Sequence, residues 1–468
     1  MNGNYGTNIL QNFSNFINAQ PGSPLYERAQ TVRTIDDLKA DVLANKLPQV
    51  SWLCPPAAYS EHPQYTPAYG AEYTSQILDA LTSNPEVWSK TVLFIMYDEN
   101  DGFFDHMVPP QPATTPAQGK STVSTEGEIH NVVNPGRGGS YTADGLPYGL
   151  GPRVPMTIVS PWSKGGFVCS QVFDHTSVIR FIETRFGVYE PNITAWRRAV
   201  CGDLTTAFDF RTPDSKVPPL PDTSNYKTIA DNQCATQPKP TVPATPGAID
   251  PQEGGIRFAR ALPYELHVNG QADAKKSTFE LSIGNTGDQG AHFYVYSTNR
   301  TDGPWRYTVE AGKSLSESFD LTTTNGAYAF EVFGPNGFVR KFAGNVAATQ
   351  ASQLAGGHHN EKPAQPEVKV QYDVANGNVF LKFSNKGGKL ARLTVTDNAY
   401  GARPRPVLVP AGAHIEEAWV LAASHHWYDL TVTSNDDESF SRRVAGHVEN
   451  GRPSISDPAA IAPVLVAT

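Results

Sequence analysis

Cysteine is scarce: Cys54, Cys169, Cys201 and Cys234 are the only four in a chain of 468 residues. They stand far apart and form no Cys-x-x-Cys pair, which argues against a zinc cage. An oxidising compartment would permit a disulfide, but sequence alone pairs no two of them. Buried thiols are the expectation, cysteine being among the most buried residue types. Long apolar runs are also missing. None approaches the ~20 residues that span a bilayer, and no basic stretch leads into an apolar one, so no secretory signal is legible. Positive charge is in deficit: 37 Lys and Arg against 46 Asp and Glu give a formal charge of −9. A nucleic-acid surface needs the opposite sign, so that class of partner is excluded.

What is present is the composition of a globular protein, 39% hydrophobic and 18% charged, with 38 Pro and 39 Gly marking many turns and linkers. The length allows about three domains. The most informative stretch runs from Thr91 to His106. Val92 to Tyr97 is apolar at every position and of strand length, the pattern of a strand covered on both faces inside a parallel sheet. In such sheets chemistry sits beyond the carboxyl ends of the strands, where Asp98 and Glu99 fall. Asp101-Gly102 turns the chain, and Asp105-His106 returns to the same rim.

Around this stretch, Thr34-Ile35-Asp36-Asp37 has a capping-box pattern and predicts a helix to Leu43. Leu47 to Leu53 reads as a short strand, and Tyr59-Ser60-Glu61-His62-Pro63 as a polar loop. Tyr73, Ile77 and Leu81 predict a helix from about Glu72. Residues 107–152 form a Pro, Gly, Ser and Thr-rich excursion, read either as a lid beside the acidic rim or as a disordered insertion. Arg153 to Ser160 is a second buried-type strand. Asp174 is the expected N-cap of a helix that places His175 at its N-terminus, where backbone amides attract anions.

From Lys216 to about Gly255 the chain is Pro-rich and polar, a linker between domains. Beyond it, short alternating strands repeat. Phe279 to Gly287 matches Val379 to Gly387 at an offset of one hundred residues, and Val309 to Gly312 matches Val409 to Gly412 at the same offset. Two tandem β units of sandwich size follow, joined by a linker over 347–366 whose His358-His359 reads as solvated chain.

Taken in order, Ser60-Glu61-His62-Pro63, Tyr97 to His106, Gly151-Pro152-Arg153-Val154-Pro155 and Phe173 to Ser177 resemble the bacterial phosphocholine-specific phospholipases C. These belong to a phosphoesterase family with acid phosphatases and plant non-specific phospholipases C. The resemblance covers essentially the whole chain and implies an α/β, alkaline-phosphatase-like parallel-sheet domain followed by two tandem all-β sandwich-like domains. The expected boundaries are 1–215, a linker over 216–255, β repeats over 256–347 and 367–450 with 348–366 between them, and a tail over 451–468.

The resemblance further implies hydrolysis of phosphatidylcholine, with sphingomyelin as an open second substrate, at a membrane surface. It assigns His62, Asp98, Glu99, His106 and His175 to catalysis, with Asp105 and Asp174 supporting them. It also implies at most one divalent metal ion, on Asp98 and Glu99, and a secreted or periplasmic location. The family's early Glu-Asn-x-x-Phe-Asp-His type motif and its hydroxyl nucleophile are not found in residues 1–60. The expectation is therefore an incomplete N-terminus, with the nucleophile upstream. An inert fragment or lipid-binding protein, and an acid phosphatase, are the competing readings.

Overall fold

The computed structural model describes residues 8–102, 105–131, 143–239, 241–242, 244–245, 255–347 and 362–461. Phe103, Phe104 and the His358-His359 pair lie outside them. In chain order the first elements are α1 (Ser14–Ile17), α2 (Pro24–Ala29), α3 (Ile35–Leu43), α4 (Pro67–Thr82), α5 (Pro85–Trp88) and β1 (Leu93–Met96). Next come β2 (Gly119–Ser121), β3 (Met156–Val159), α6 (His175–Phe186), α7 (Ala195–Val200) and α8 (Tyr226–Thr236). They divide between two compact units: one of Met1–Phe104, Val154–Lys164 and Asp209–Pro251, the other of Asp105–Arg153, Gly165–Phe208 and Gln252–Thr468.

The core of the first unit follows from the amphipathic pattern. Leu38 and Val42 of α3 meet Ile77, Ala80 and Leu81 of α4 and Val87 and Trp88 of α5, with Leu93 and Val159 packed against them. The capping box at Thr34 forms as its residues dictate, with Asp37 accepting from the Thr34 backbone N–H at 2.8 Å. Helix α4 starts earlier than its apolar stripe suggests, because Thr66 caps it and Pro67 is pre-set for the first turn. Strands β1 and β3 pair in antiparallel register, Leu93 opposite Val159 and Met96 opposite Met156. This corrects the expectation of a strand covered on both faces in a parallel sheet: β1 is only half-buried, and an apolar run does not encode its neighbour's direction. The strand expected over 47–53 does not form, since its extended backbone finds no partner strand, and Trp52 is exposed. Within the Pro-rich stretch, α8 packs on α4, where Tyr69 bonds Asp231 and Lys227 sits 4.9 Å over the Tyr69 ring.

The second unit carries the β region. Its strands are β4 (Phe258–Ala259), β5 (Leu266–Asp273), β6 (Thr278–Asn285), β7 (Ala291–Ser297), β8 (Trp305–Val309) and β9 (Ser314–Asp320). They continue with β10 (Ala327–Phe333), β11 (Val339–Asn345), β12 (Pro366–Asp373), β13 (Asn378–Asn385), β14 (Ala391–Asp397) and β15 (Arg405–Val409). The last are β16 (His414–Trp419), β17 (Trp427–Ser434), β18 (Ser441–His447) and β19 (Ser454–Ile455).

The repeats share one nine-stranded sheet, ordered β15-β14-β17-β18-β11-β10-β7-β8-β2, with the seam at the antiparallel β11–β18 pair. Each repeat closes its own core with a three-stranded sheet, β5-β6-β9 or β12-β13-β16. The hundred-residue offset is chemical as well as topological. Asn285, buried, donates to Gln289 O and Val309 O, and Asn385 donates likewise to Lys389 O and Val409 O. At the seam, Arg442 of the second repeat reaches Tyr328 and Ala343 O of the first while forking onto Glu367 at 2.7 and 2.9 Å. Arg340 of the first makes the reciprocal bonds to Tyr428 and Ala445 O.

Both partners of the Arg442–Glu367 pair are buried. Arg442→Ala therefore strands a carboxylate and should cost about 3–5 kcal/mol in urea unfolding. Arg442→Met combined with Glu367→Gln should recover most of that loss, and an Arg442→Ala protein as stable as the wild type would refute the pairing's weight.

Candidate active site

The motif residues fall in both units. In the first, β1 ends at Met96 and delivers Tyr97, Asp98 and Glu99. The Tyr97 hydroxyl donates to Glu61 Oε2 at 2.8 Å, and burial, with Glu61 beside it, raises the pKa of that hydroxyl. Glu61 is in the left-handed region at φ 60°. Its carboxylate lies against Gly70, where a Cβ would stand 2.0 Å from Oε1, so a larger residue there would displace the carboxylate from this position. This contact brings the His62 loop to the carboxyl end of β1, and the His62 backbone N–H donates to Ser60 Oγ at 3.3 Å. His62, Asp98 and Glu99 are themselves exposed. The role of Glu61 is not legible in its motif, because its tie to Tyr97 spans 36 residues and has no local signature.

Asp98 and Glu99 do not make a metal centre by themselves. Among the described residues no group of three or more His, Cys, Asp or Glu side chains is placed to hold an ion.

In the second unit Asp105 is committed to Arg153. It accepts from the Arg153 backbone N–H at 2.9 Å, from Nε at 3.0 Å and from Nη2 at 3.0 Å, and also from Met107 N at 3.1 Å. The Arg153 guanidinium and amide hold its carboxyl well below the usual carboxylate range. His106 stands 3.9 Å away with 82% of its side chain exposed, so Asp105 does not orient it.

Asp174 caps α6 as the sequence indicates, accepting from Thr176 N at 3.0 Å, with Ser177 Oγ completing a capping box. His175 is the first residue of that helix and is exposed. The other Asp174 oxygen accepts from Arg197 Nη1 at 2.7 Å. Arg197 also grips Glu128 through Nε at 2.9 Å and Nη2 at 3.2 Å, and donates to Gly149 O at 2.8 Å. Thr194, the N-cap of α7, adds a 2.6 Å bond to Glu128. Glu128 is 1% exposed. Burial alone would lower the guanidinium's pKa, but the two carboxylates more than offset it and hold it above its ordinary value.

This clamp was missed from sequence. Glu128 lies in the excursion and Arg197 on a short helix 69 residues later. The described parts of the excursion are accordingly fixed rather than loose. Strand β2 pairs with β8 in parallel, an approach that Gly119 permits because a Cβ there would lie 1.9 Å from Arg306 O. Tyr294 OH holds Pro109 O at 2.7 Å.

Helix α7 is tied to the first β repeat by Trp196, whose Nε1 donates to Thr308 Oγ1 at 2.9 Å. Thr308 in turn faces His292 Nδ1 at 3.0 Å. The other ring nitrogen, His292 Nε2, is buried with no hydrogen-bond partner among the described residues. Burial first, then the Arg306 charge, lowers its pKa to about 3.

The ordered motifs and the tandem β repeats each have counterparts among known proteins. Residues 1–189 match the phosphoesterase family, and residues 258–345 and 366–447 match the bacterial phospholipase C C-terminal domain. The chain is thus similar to the phosphoesterase family over its first 189 residues and to the bacterial phospholipase C C-terminal domain over both β repeats. It is 52% identical to a non-hemolytic phospholipase C of Burkholderia pseudomallei, covering 97% of this chain and 64% of that protein. Non-hemolytic and hemolytic phospholipases C of Pseudomonas aeruginosa are 48% and 44% identical over 97% of this chain. The chain thus spans about 64% of the length of these relatives.

Arg197→Ala should cost about 3–5 kcal/mol of local stability by exposing two uncompensated carboxylates. Hydrogen exchange should quicken in α6 and around Glu128 but not in the second repeat. Arg197→Lys should rescue only part, lacking the fork. Protection unchanged in α6 would show the clamp to be unimportant.

His292 sets a pH dependence. Its folded pKa of about 3 lies below the unfolded value of about 6.5. The unfolded chain therefore takes up a proton that the native state refuses. Its contribution is intact above pH ~6.5 and falls away towards pH ~3, by up to roughly 5 kcal/mol. The stability difference between wild type and His292→Gln should slope with pH across that window; parallel curves would contradict it.

Proposed function

We propose that this chain is the larger part of a phospholipase C that cleaves the phosphodiester of phosphatidylcholine to diacylglycerol and phosphocholine. The observation that carries this reading is the pairing, in one chain, of a phosphoesterase segment with both copies of the C-terminal domain. That pairing accompanies 44–52% identity to proteins named phospholipase C over nearly the whole chain. The β repeats favour it over an acid phosphatase. Export from the cell belongs to the same reading; among the described residues no helix is long and apolar enough to cross a membrane.

Phosphodiester cleavage needs a nucleophile, charge stabilisation at the phosphoryl oxygens and a proton for the departing glycerol oxygen. A hydroxyl oxygen attacks phosphorus, the bond to the diacylglycerol oxygen breaks, and that oxygen leaves with a proton; water then releases phosphocholine from the enzyme. The motif histidines His62, His106 and His175 are the groups we assign to phosphate contact and proton delivery. Of these, His175 has the firmest support, because the cap that starts its helix is locked by the Arg197 clamp. Asp98 and Glu99 are assigned to the surroundings of the nucleophile. Asp174 positions α6, and Asp105 positions Arg153 rather than His106. No hydroxyl among the motif residues is assigned as nucleophile, and the proposal places it beyond these 468 residues.

A chromogenic phosphocholine diester tests this, with the present chain assayed beside one extended upstream. The extended protein should turn over, and His175→Ala and Asp98→Asn should each lower kcat by about 10²–10⁴. Preference for a phosphate monoester, or full activity of both variants, would overturn the reading.

A further inference from the structure

We propose that a cavity where the two β repeats meet the β4–β19 ladder binds a phosphocholine-type zwitterion. The inference rests on the function proposed above and gives its headgroup chemistry a second site, since none of the histidines or acids assigned to catalysis lines this cavity. Its volume is about 270 Å³, close to the lower bound of small-molecule sites.

Chain connectivity explains why the space exists. Strand β19 returns to pair with β4, Ser454 opposite Ala259. The Pro335-Asn336-Gly337 turn between β10 and β11 comes up against the start of β17. Gly337 is at φ 71°, and a Cβ there would lie 3.5 Å from the Trp427 ring, so the turn puts no side chain over that part of the indole.

The walls carry both signs. Arg260, 8% exposed and 4.0 Å from the Phe167 ring, supplies a guanidinium. Glu449 and Asp457 supply carboxylates, and Trp427 an aromatic face. Glu449 is already engaged, accepting from Leu262 N at 2.9 Å and bonding the His447 ring at 2.8 Å. Asp457 accepts from the Tyr400 hydroxyl and from Ala459 N through Oδ1, and its Oδ2 takes no bond among the described residues. The register places Arg260 and Asp457 towards opposite ends of the ladder.

A simple anion would answer only Arg260 and a simple cation only the carboxylates, leaving the other sign uncompensated in a partly buried space. A zwitterion with separated charges answers both. Its cation is best a quaternary ammonium. A primary ammonium brings three N–H donors that each need an acceptor, and the Glu449 oxygens are committed. A trimethylammonium needs only an aromatic face and a carboxylate in range. The anionic end meets Arg260, whose fork matches a phosphate.

The test is calorimetric titration of the 468-residue chain with phosphocholine. One saturable site is expected. Asp457→Asn keeps an acceptor for Ala459 N while removing the charge, and it and Arg260→Gln should each weaken binding about ten-fold or more. Ser170→Phe obstructs the cavity from an exposed position. It should weaken binding as much with both charges in place, which covers the case of a charge variant that fails to fold. Glu438→Gln, at an exposed carboxylate outside the cavity, should bind as wild type. Thermal melting checks each fold. Choline, inorganic phosphate and phosphoethanolamine should each bind about ten-fold more weakly or worse.

Competition by dihexanoylphosphatidylcholine below its micelle-forming concentration assigns the site to a lipid headgroup; phosphocholine binding without that competition assigns it to the free product. No saturable binding, binding insensitive to all three cavity variants, or equal affinity for inorganic phosphate would overturn the inference. Hydrolysis of a soluble phosphocholine diester is read separately on the upstream-extended protein. Turnover without cavity-dependent binding overturns the inference and leaves the functional reading standing. Cavity-dependent binding by an extended protein that never hydrolyses the diester counts against the functional reading and leaves the site.

Discussion

A guanidinium held between two carboxylates fixes more of the second unit than any other contact. Removing Arg197 from water costs several kcal/mol unless its donors are satisfied, and this site satisfies them with Glu128, Asp174 and Gly149 O. Those partners come from three separate stretches: one limb of the excursion, the cap of α6, and the returning limb. None can move without leaving a charge uncompensated in a low-dielectric environment. The position of His175 is thus set by residues that do not touch it, through a cap whose carboxylate is wholly occupied.

The β repeats enter the same account. Trp196 carries α7, and with it Arg197, onto Thr308 of the first repeat. The excursion that supplies Glu128 is laid along β8. The first repeat is therefore a scaffold for the clamp. The second repeat is joined to it by a continuous sheet and by arginines that each cross the seam to a tyrosine of the other copy. Stability is transmitted through β11 and β18, because neither three-stranded sheet can close its core without the strands that share the long one. Appended domains that only tethered the protein would not need this continuity.

What could be read from sequence was chemistry of short range. The Thr34 box, the Asp174 cap and the strand ending before Asp98 each reside in a few neighbouring residues whose geometry follows from backbone hydrogen bonding. The repeat was legible because identical demands recur, as Asn285 and Asn385 illustrate by bonding the same pair of carbonyls in each copy. The direction of β3 relative to β1, the missing strand at 47–53 and the fusion at β11–β18 depend on which segments meet, and apolar patterning does not encode that. The Arg197–Glu128 pair failed for the same reason: an isolated Glu in a Gly-rich loop looks like solvated surface until its partner arrives.

The two acid-histidine pairs of the motif, superficially alike, do opposite things. In Asp105-His106 the carboxylate spends its acceptors on Arg153 and Met107, and the imidazole 3.9 Å away is left outside that network. Arg153 is 60% exposed, so the clip is screened by water and adds little to the hold that Arg197 and Tyr294 have on the excursion. In Asp174-His175 the carboxylate is 5% exposed and bonded on both oxygens, and it fixes the helix on which the imidazole rides. Reaction at a phosphodiester rewards a proton donor or phosphate contact whose position is set in advance, which is why His175 carries the firmer support of the two in the reading proposed above. The buried cap gives His175 a fixed origin, whereas His106 draws its placement from an exposed loop.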